Sequence, residues 1–275
     1  MSCGRKSSFV LVFRPHHRNF APMISKNQIK WVHSLELKKN RRREGLFVAE
    51  GPKVVGDLLR AGFKARQIFA TTMMTADTQL VTNEELQRIS FLQHPQEVLA
   101  VLEIPANTAP IAPEGHLSLA LDGVQDPGNV GTIIRIADWF GIDCIYCSPD
   151  TADIYNPKVV QATMGSIAHL PIVYTDLPQF LDSLPETFPV YGTLLDGNNI
   201  YDQSLTSEGI IVMGNEGNGI SEAIRQRITR RILIPNFHQG SERAESLNVA
   251  IATAITCSEF RRRHRAHPHR ASSDT

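Results

Sequence analysis

From Lys26 onward, apolar and polar positions form blocks that alternate between strand-like and helix-like spacing. Ile29, Val32 and Leu35 recur at three-residue intervals. That spacing predicts a helix over Lys26 to Arg43, with Gly45 as its stop. Leu46 to Ala49 predicts a strand. Pro52 suits a first helical turn, so a helix is expected over Lys53 to Ala61, ending at Gly62. Arg66 to Ala70 predicts a second strand and Glu97 to Ile104 a third. Between them, Thr82-Asn-Glu-Glu85 has capping-box spacing and opens a short helix.

Pro105 to Gly115 interrupts this pattern with three prolines and little apolar content, and is expected to be a linker, taken as 105–116. Strands are then predicted at Leu117 to Leu121, Ile142 to Cys147, Pro189 to Leu195, Ile210 to Met213 and Ile232 to Ile234. Helices are predicted at Val130 to Phe140, Asn156 to Ala168, Ser221 to Arg227 and Leu247 to Arg262. Near-continuous apolar strands separated by helices imply an α/β fold with a mostly parallel sheet covered on both faces. The expected organisation is a disordered extension over 1–22, a smaller α/β domain over 23–104, the linker, a larger domain over 117–263, and a disordered tail over 264–275.

Composition narrows the partners. Lys and Arg number 28, and Asp and Glu also 28, so any nucleic-acid footprint must be local. The local candidates are Lys38, Lys39, Arg41, Arg42 and Arg43, and the run Arg261 to Arg263 followed by His264 and Arg265. Helix ends favour such cations in any case. Four cysteines are too few for a disulfide scaffold, which fits a reducing, cytoplasmic setting. Cys144-Ile-Tyr-Cys147 has metal-like spacing but no second pair, and is expected in a buried strand. No metal is expected. No apolar run reaches the ~20 residues of a membrane helix. Phe9 to Phe13, behind Arg5 and Lys6, is too short for a signal peptide.

Three polar segments lie at predicted strand ends or helix starts. In Asp126-Pro-Gly-Asn129-Val-Gly-Thr-Ile-Ile-Arg135, Asn129 suits a helix cap and Arg135 a helix face. The second, Met213-Gly-Asn-Glu216-Gly-Asn-Gly-Ile220, is glycine-rich, yet it is neither a dinucleotide fingerprint nor a Walker loop. Its central carboxylate suits a cationic ligand better than a phosphate. The third, Glu245-Ser246-Leu-Asn248-Val249, opens the last helix, with Ser246 as a natural cap.

Taken in order, these segments resemble the three motifs of the SpoU (TrmH-like) RNA ribose 2′-O-methyltransferases, over about Leu117 to Arg262. Residues from about Ile24 to Ile104 resemble the ribosomal-protein-like substrate-binding domain often fused before it. The resemblance implies a trefoil knot at the carboxyl end and S-adenosylmethionine as cofactor. It also implies a homodimer and an RNA substrate, structured or single-stranded. It places the catalytic set on Asn129, Arg135, Glu216, Ser246 and Asn248. It places the cofactor against Thr193, Leu195, Gly214, Asn215, Gly217, Ile234 and Leu247.

The expected reaction is methylation of a ribose 2′-hydroxyl, first in ribosomal RNA and second in transfer RNA. A catalytically inactive RNA-binding protein of the same fold is the rival, and a nucleotide-binding oxidoreductase is disfavoured by the missing fingerprint. Because guanidinium stays protonated, Arg135 is expected to stabilise charge, with Glu216 as a possible proton acceptor. The loop 236–245, with His238 and Arg243, departs from the family in length.

Overall fold

The computed structural model describes residues 24–106, 111–237 and 246–263. The expected extension and tail, His238, Arg243 and most of the loop 236–245 lie outside the described residues.

The first sheet has the order β1-β4-β2-β3, built from β1 (Leu46–Glu50), β2 (Ala65–Ala70), β3 (Thr78–Leu80) and β4 (Val98–Glu103). β4 pairs antiparallel with β1 and β2, and β2 pairs parallel with β3. Both faces are covered, which follows from strict alternation within apolar strands. Leu46 and Val48 join a cluster with Val32, Leu35, Leu86 and Ile89, under α1 (Lys26–Ser34) and α4 (Asn83–Ile89). Phe47 and Ala49 point the other way, with Val54, Val55 and Leu58 of α3 (Pro52–Arg60). Thr82 does form the capping box of α4, with Glu85.

The single helix expected over Lys26 to Arg43 is two. α1 ends at Ser34, and α2 (Lys38–Glu44) starts after a turn capped by Leu37. Gly45 stops α2 with φ 66°, a left-handed conformation that favours glycine.

The second sheet has six strands in the order β10-β8-β9-β5-β6-β7, and every pairing is parallel. Its strands are β5 (Leu117–Asp122), β6 (Ile145–Cys147), β7 (Ile172–Tyr174), β8 (Val190–Asn199), β9 (Gly209–Gly214) and β10 (Arg230–Leu233). Helices α5 (Pro127–Trp139), α6 (Pro157–Thr163), α7 (Leu177–Asp182), α8 (Glu222–Arg225) and α9 (Val249–Arg263) cover it. The helix expected over Asn156 to Ala168 stops at Thr163. Met164 and Gly165 take positive φ, and Ser166–Ala168 forms a separate 3-10 turn. Cys144, Cys147 and Cys257 are free and buried.

One apolar cluster joins the two sheets. It runs from Phe47, Ala100 and Leu58 to Leu119, Ile133, Val159 and Phe260 without a break. The ring of Phe47 lies 4.8 Å from that of Tyr155. Such continuity is core-like rather than the polar contact usual between mobile domains.

Candidate active site

β5 and β9 are neighbours and end together, at Asp122 and Gly214. In open parallel sheets, ligands bind beyond such carboxyl ends. After Gly214 the chain folds back on itself, and Asn215 and Gly219 exchange backbone bonds of 2.9 Å. A Cβ on Gly214 would come within 2.3 Å of the backbone of Gly219 and Ile220, so only glycine permits this turn. Asn215 pins it: Oδ1 accepts from the amides of Gly217 and Asn218, and Nδ2 donates to the Gly123 carbonyl at 2.7 Å.

A second irregularity opens the cleft. The β8–β10 register jumps between Arg231 (opposite Gly192) and Ile232 (opposite Asn198), leaving residues 193–197 out of the pairing. The resulting cleft has a volume of about 470 Å³. Thr193, Leu195, Gly214, Asn215, Gly217, Ile234 and Leu247 all line it, as do Glu216, Ser246 and Asn248. Leu194 and Ala252 line it too, and the sequence motifs did not single them out. Their signal was only apolar content shared with the core. Glu216 is the only charged group among the described lining.

The motif residues meet through amides. The Asn129 Nδ2 donates to Glu216 Oε1 at 3.0 Å, and the Asn248 Nδ2 donates to Asn129 Oδ1 at 2.9 Å. The Asn248 Oδ1 accepts from the amides of Ala250 and Ile251 at the start of α9. The polarity of this chain is fixed at both ends. A carboxylate can only accept and helix amides can only donate, so each asparagine has one allowed orientation.

Glu216 also accepts from the amides of Gln125 and Asp126, each at 3.1 Å. Partial burial pushes its carboxyl up, but the Asn129 amide and backbone N–H groups outweigh that and hold it below its ordinary value. A carboxylate so held is a weaker base, and all of its contacts suit a clamp.

Two capping expectations are corrected. Asn129 is not the cap of α5: the helix begins at Pro127, and the Asp126 carboxylate takes the Asn129 amide at 2.8 Å. The side chain of Asn129 is thereby released toward Glu216. At α9 the capping oxygen belongs to Asn248, not Ser246, which is exposed at the cleft.

Arg135 stands apart. It is exposed on α5, and no side-chain bond joins it to another described residue. Six helical residues place it about 9 Å along the axis from Asn129 and about 120° around it.

The cationic set divides as well. Arg41 is buried, its side chain only 2% exposed, and it pairs with Asp153 at 2.5 Å. It is therefore closed to RNA. Arg43 pairs with Glu44 at 2.8 Å. Lys39 and Arg42 are exposed and Lys38 partly so. At the other run, Arg262 and Arg263 both pair with Glu259. No cluster of metal-ligating side chains occurs among the described residues, and no described helix is long and apolar enough to cross a membrane.

Comparison with known proteins agrees with this architecture. Residues 116–258 match the SpoU rRNA Methylase family, and residues 26–100 match the MRM3-like substrate binding domain. The chain is 33% identical to the 23S rRNA (guanosine(2553)-2′-O)-methyltransferase RlmP of Bacillus subtilis (strain 168), over 84% of this chain and 95% of that one. Among solved structures, a protein of the TrmH family from Porphyromonas gingivalis, described as a candidate RNA methyltransferase, is 42% identical with TM-score 0.77. That match covers 88% of this chain and 99% of the other. An AdoMet-bound rRNA methyltransferase from Sinorhizobium meliloti is 31% identical with TM-score 0.76, covering 86% and 94%. The chain belongs to the SpoU rRNA methylase family.

Proposed function

We propose that this SpoU-family chain is an S-adenosylmethionine-dependent RNA 2′-O-methyltransferase acting on ribosomal RNA. The observation that carries the reading is the Glu216–Asn129–Asn248 chain at the lip of a cleft whose only described charge is one carboxylate. The cleft suits a nucleoside that carries a sulfonium. Leu195, Ile234 and Leu247 offer apolar contact, the 214–219 turn offers backbone polar groups, and no described lining residue is cationic. Bound there, adenosylmethionine would supply an electrophilic methyl group with a neutral leaving group.

The chain's own residues then orient and stabilise. Glu216 fixes Asn129, and Asn248 ties Asn129 to α9, so the motif segments hold one geometry. Such positioning contributes up to roughly 7–11 kcal/mol when it is near ideal. Ser246 offers a hydroxyl at the cleft as a hydrogen-bond partner for the attacking ribose, whose 2′-hydroxyl proton passes to solvent water as the oxygen–methyl bond forms and the sulfur–methyl bond breaks. Arg135 stabilises the developing alkoxide or grips a neighbouring phosphate. Its distance from Asn129 within one chain, together with the exposed Trp139 on α5 and Ile251 on α9, supports a homodimer in which helices meet near the site. Lys38, Lys39 and Arg42 supply the basic footprint, within the amino-terminal domain taken as 23–104, ahead of a methyltransferase domain at 117–263. We further propose the family's trefoil knot. It is supported by the match of residues 116–258 to the SpoU rRNA Methylase family. The buried free thiols support a reducing, cytoplasmic setting.

The test is transfer from a radiolabelled methyl donor to purified ribosomal RNA and to transfer RNA, with ribose methylation mapped afterwards. Labelling of ribosomal RNA at a 2′-oxygen is expected. Labelling confined to transfer RNA would move the substrate, and no cofactor binding by calorimetry would leave the inactive RNA-binding reading.

A further inference from the structure

We infer that Arg41 and Asp153 form a positioning pair that ties the cationic helix of the first sheet to the loop holding Glu216. The activity arm of its test rests on the methyl-transfer reading above.

Arg41 lies on α2 between the exposed Lys39 and Arg42. Its Nη1 donates to the carbonyls of Leu35 and Glu36, at 2.8 and 2.6 Å, which pins the turn between α1 and α2. Its Nε and Nη2 donate to Asp153 Oδ2, at 3.1 and 2.5 Å. The other Asp153 oxygen accepts from the Tyr155 amide at 3.1 Å.

From Asp153 the connection continues through hydrogen bonds. The Ala152 amide donates to the Val124 carbonyl at 2.9 Å, and Thr151 Oγ1 to the Leu121 carbonyl at 2.9 Å. The Gly123 amide donates to Ser148 Oγ at 2.9 Å. Residues 148–152 are thus laced along 121–124, and the next two amides, Gln125 and Asp126, hold Glu216. The catalytic loop is clamped between Glu216 on one side and a segment anchored to Arg41 on the other.

Stability is a poor explanation for this pair. An apolar cluster already crosses the interface, and buried ion pairs commonly add no more than apolar residues of similar volume. A planar guanidinium making four directed bonds does something apolar contact does not: it fixes an angle. The Lys53 ammonium on the Met164 carbonyl, at 2.7 Å, and the Phe47–Tyr155 ring contact are two further points. An RNA gripped by Lys39 and Arg42 is then held at a set distance and angle from Glu216.

The test uses Asp153→Asn, which keeps the side chain's size and an acceptor for Tyr155, and Arg41→Lys, which keeps charge but loses the fork. In folded protein, both are expected to speed hydrogen exchange at the Gly123, Gln125 and Asp126 amides, Asp153→Asn the more. Turnover on structured RNA is expected to fall about 10- to 100-fold, as for a small misplacement of reacting groups. The KM for RNA and the cofactor Kd should stay within about threefold. If Arg41 gripped phosphate instead, KM would rise in Arg41→Lys, and Asp153→Asn would bind RNA more tightly. That pattern overturns the inference, as does unchanged exchange at those three amides in either folded variant. The exchange arm decides even if the wild-type chain transfers no methyl group.

Discussion

The Arg41–Asp153 pair and the Asn129–Glu216–Asn248 chain are both short strings of charged and amide groups. One lies inside the molecule, between two sheets, and the other at the lip of a cleft. Water has little access to Arg41, so losing Asp153 strands a buried charge, and losing the guanidinium leaves the Leu35 and Glu36 carbonyls and a mostly buried carboxylate without their donor. Water can replace a partner of Glu216, which is exposed. What is lost there is direction, because a water does not hold Asn129 in one orientation. The buried network should therefore register in stability as well as in turnover, and the exposed one in turnover with little loss of stability.

The largest expected effect tests that division directly. Arg41→Gln should lower unfolding stability by about 3–5 kcal/mol, as for breaking one partner of a buried pair, measured by denaturant titration. A loss under about 1 kcal/mol would mean that the interface takes up water and the contrast fails. Next, Arg135→Lys should reduce single-turnover methyl transfer about 100-fold or more, with folding intact, since an ammonium cannot reproduce a forked donor. Near-normal turnover would remove the clamp role. Glu216→Gln should slow transfer by about 100-fold through misplacement while barely moving the thermal midpoint; a large drop in midpoint instead would put Glu216 with Arg41 among the buried supports.

Acidity sharpens the same contrast. The Glu216 carboxyl sits below its ordinary value of 4.5, so its ionised form favours the folded arrangement above that pH. The contribution is lost only as pH falls through the lowered value. Cofactor affinity should therefore fall off with a midpoint below pH 4.5 in protein that remains folded, as read by calorimetry. Smallest of all, Asn248→Ala removes the cap of α9 and should cost about 1 kcal/mol of stability. Lys39→Glu should leave stability untouched and flatten the salt dependence of RNA binding by about one unit of slope or more.

Some of this was legible in residues alone because local rules operate without competition. Leu117 to Leu121 is apolar but for Ser118, Ile210 to Met213 is wholly apolar, and each became a strand buried along its whole length. Thr82 and Glu85 cap α4 by a bond pattern that spans only three residues. Short elements escaped: β7 and α7 are three and six residues long, too few to show a period. The break between α1 and α2 escaped because Leu35 continues a helical pattern that the turn interrupts for the sake of burial. Asn129 read as a cap because its residue type fits; Asp126, three positions earlier, held the cap instead and freed the amide for Glu216.

By itself, the sequence determined five of the six strands that make the parallel sheet, the glycine turn after Gly214, and the residue types at Asn129, Arg135, Glu216, Ser246 and Asn248. Those follow from apolar runs and from chemistry carried on adjacent positions. Which polar groups meet was decided only by tertiary structure. Asn129 and Glu216 are 87 residues apart, and Arg41 and Asp153 are 112 apart. Their pairing depends on how β5, β9 and the two sheets stack. Lys38, Lys39, Arg41, Arg42 and Arg43 look alike as a sequence, interrupted only by Asn40. Packing turned Arg41 inward to a carboxylate and left Lys39 and Arg42 in solvent, because a helix laid on a sheet must bury one face.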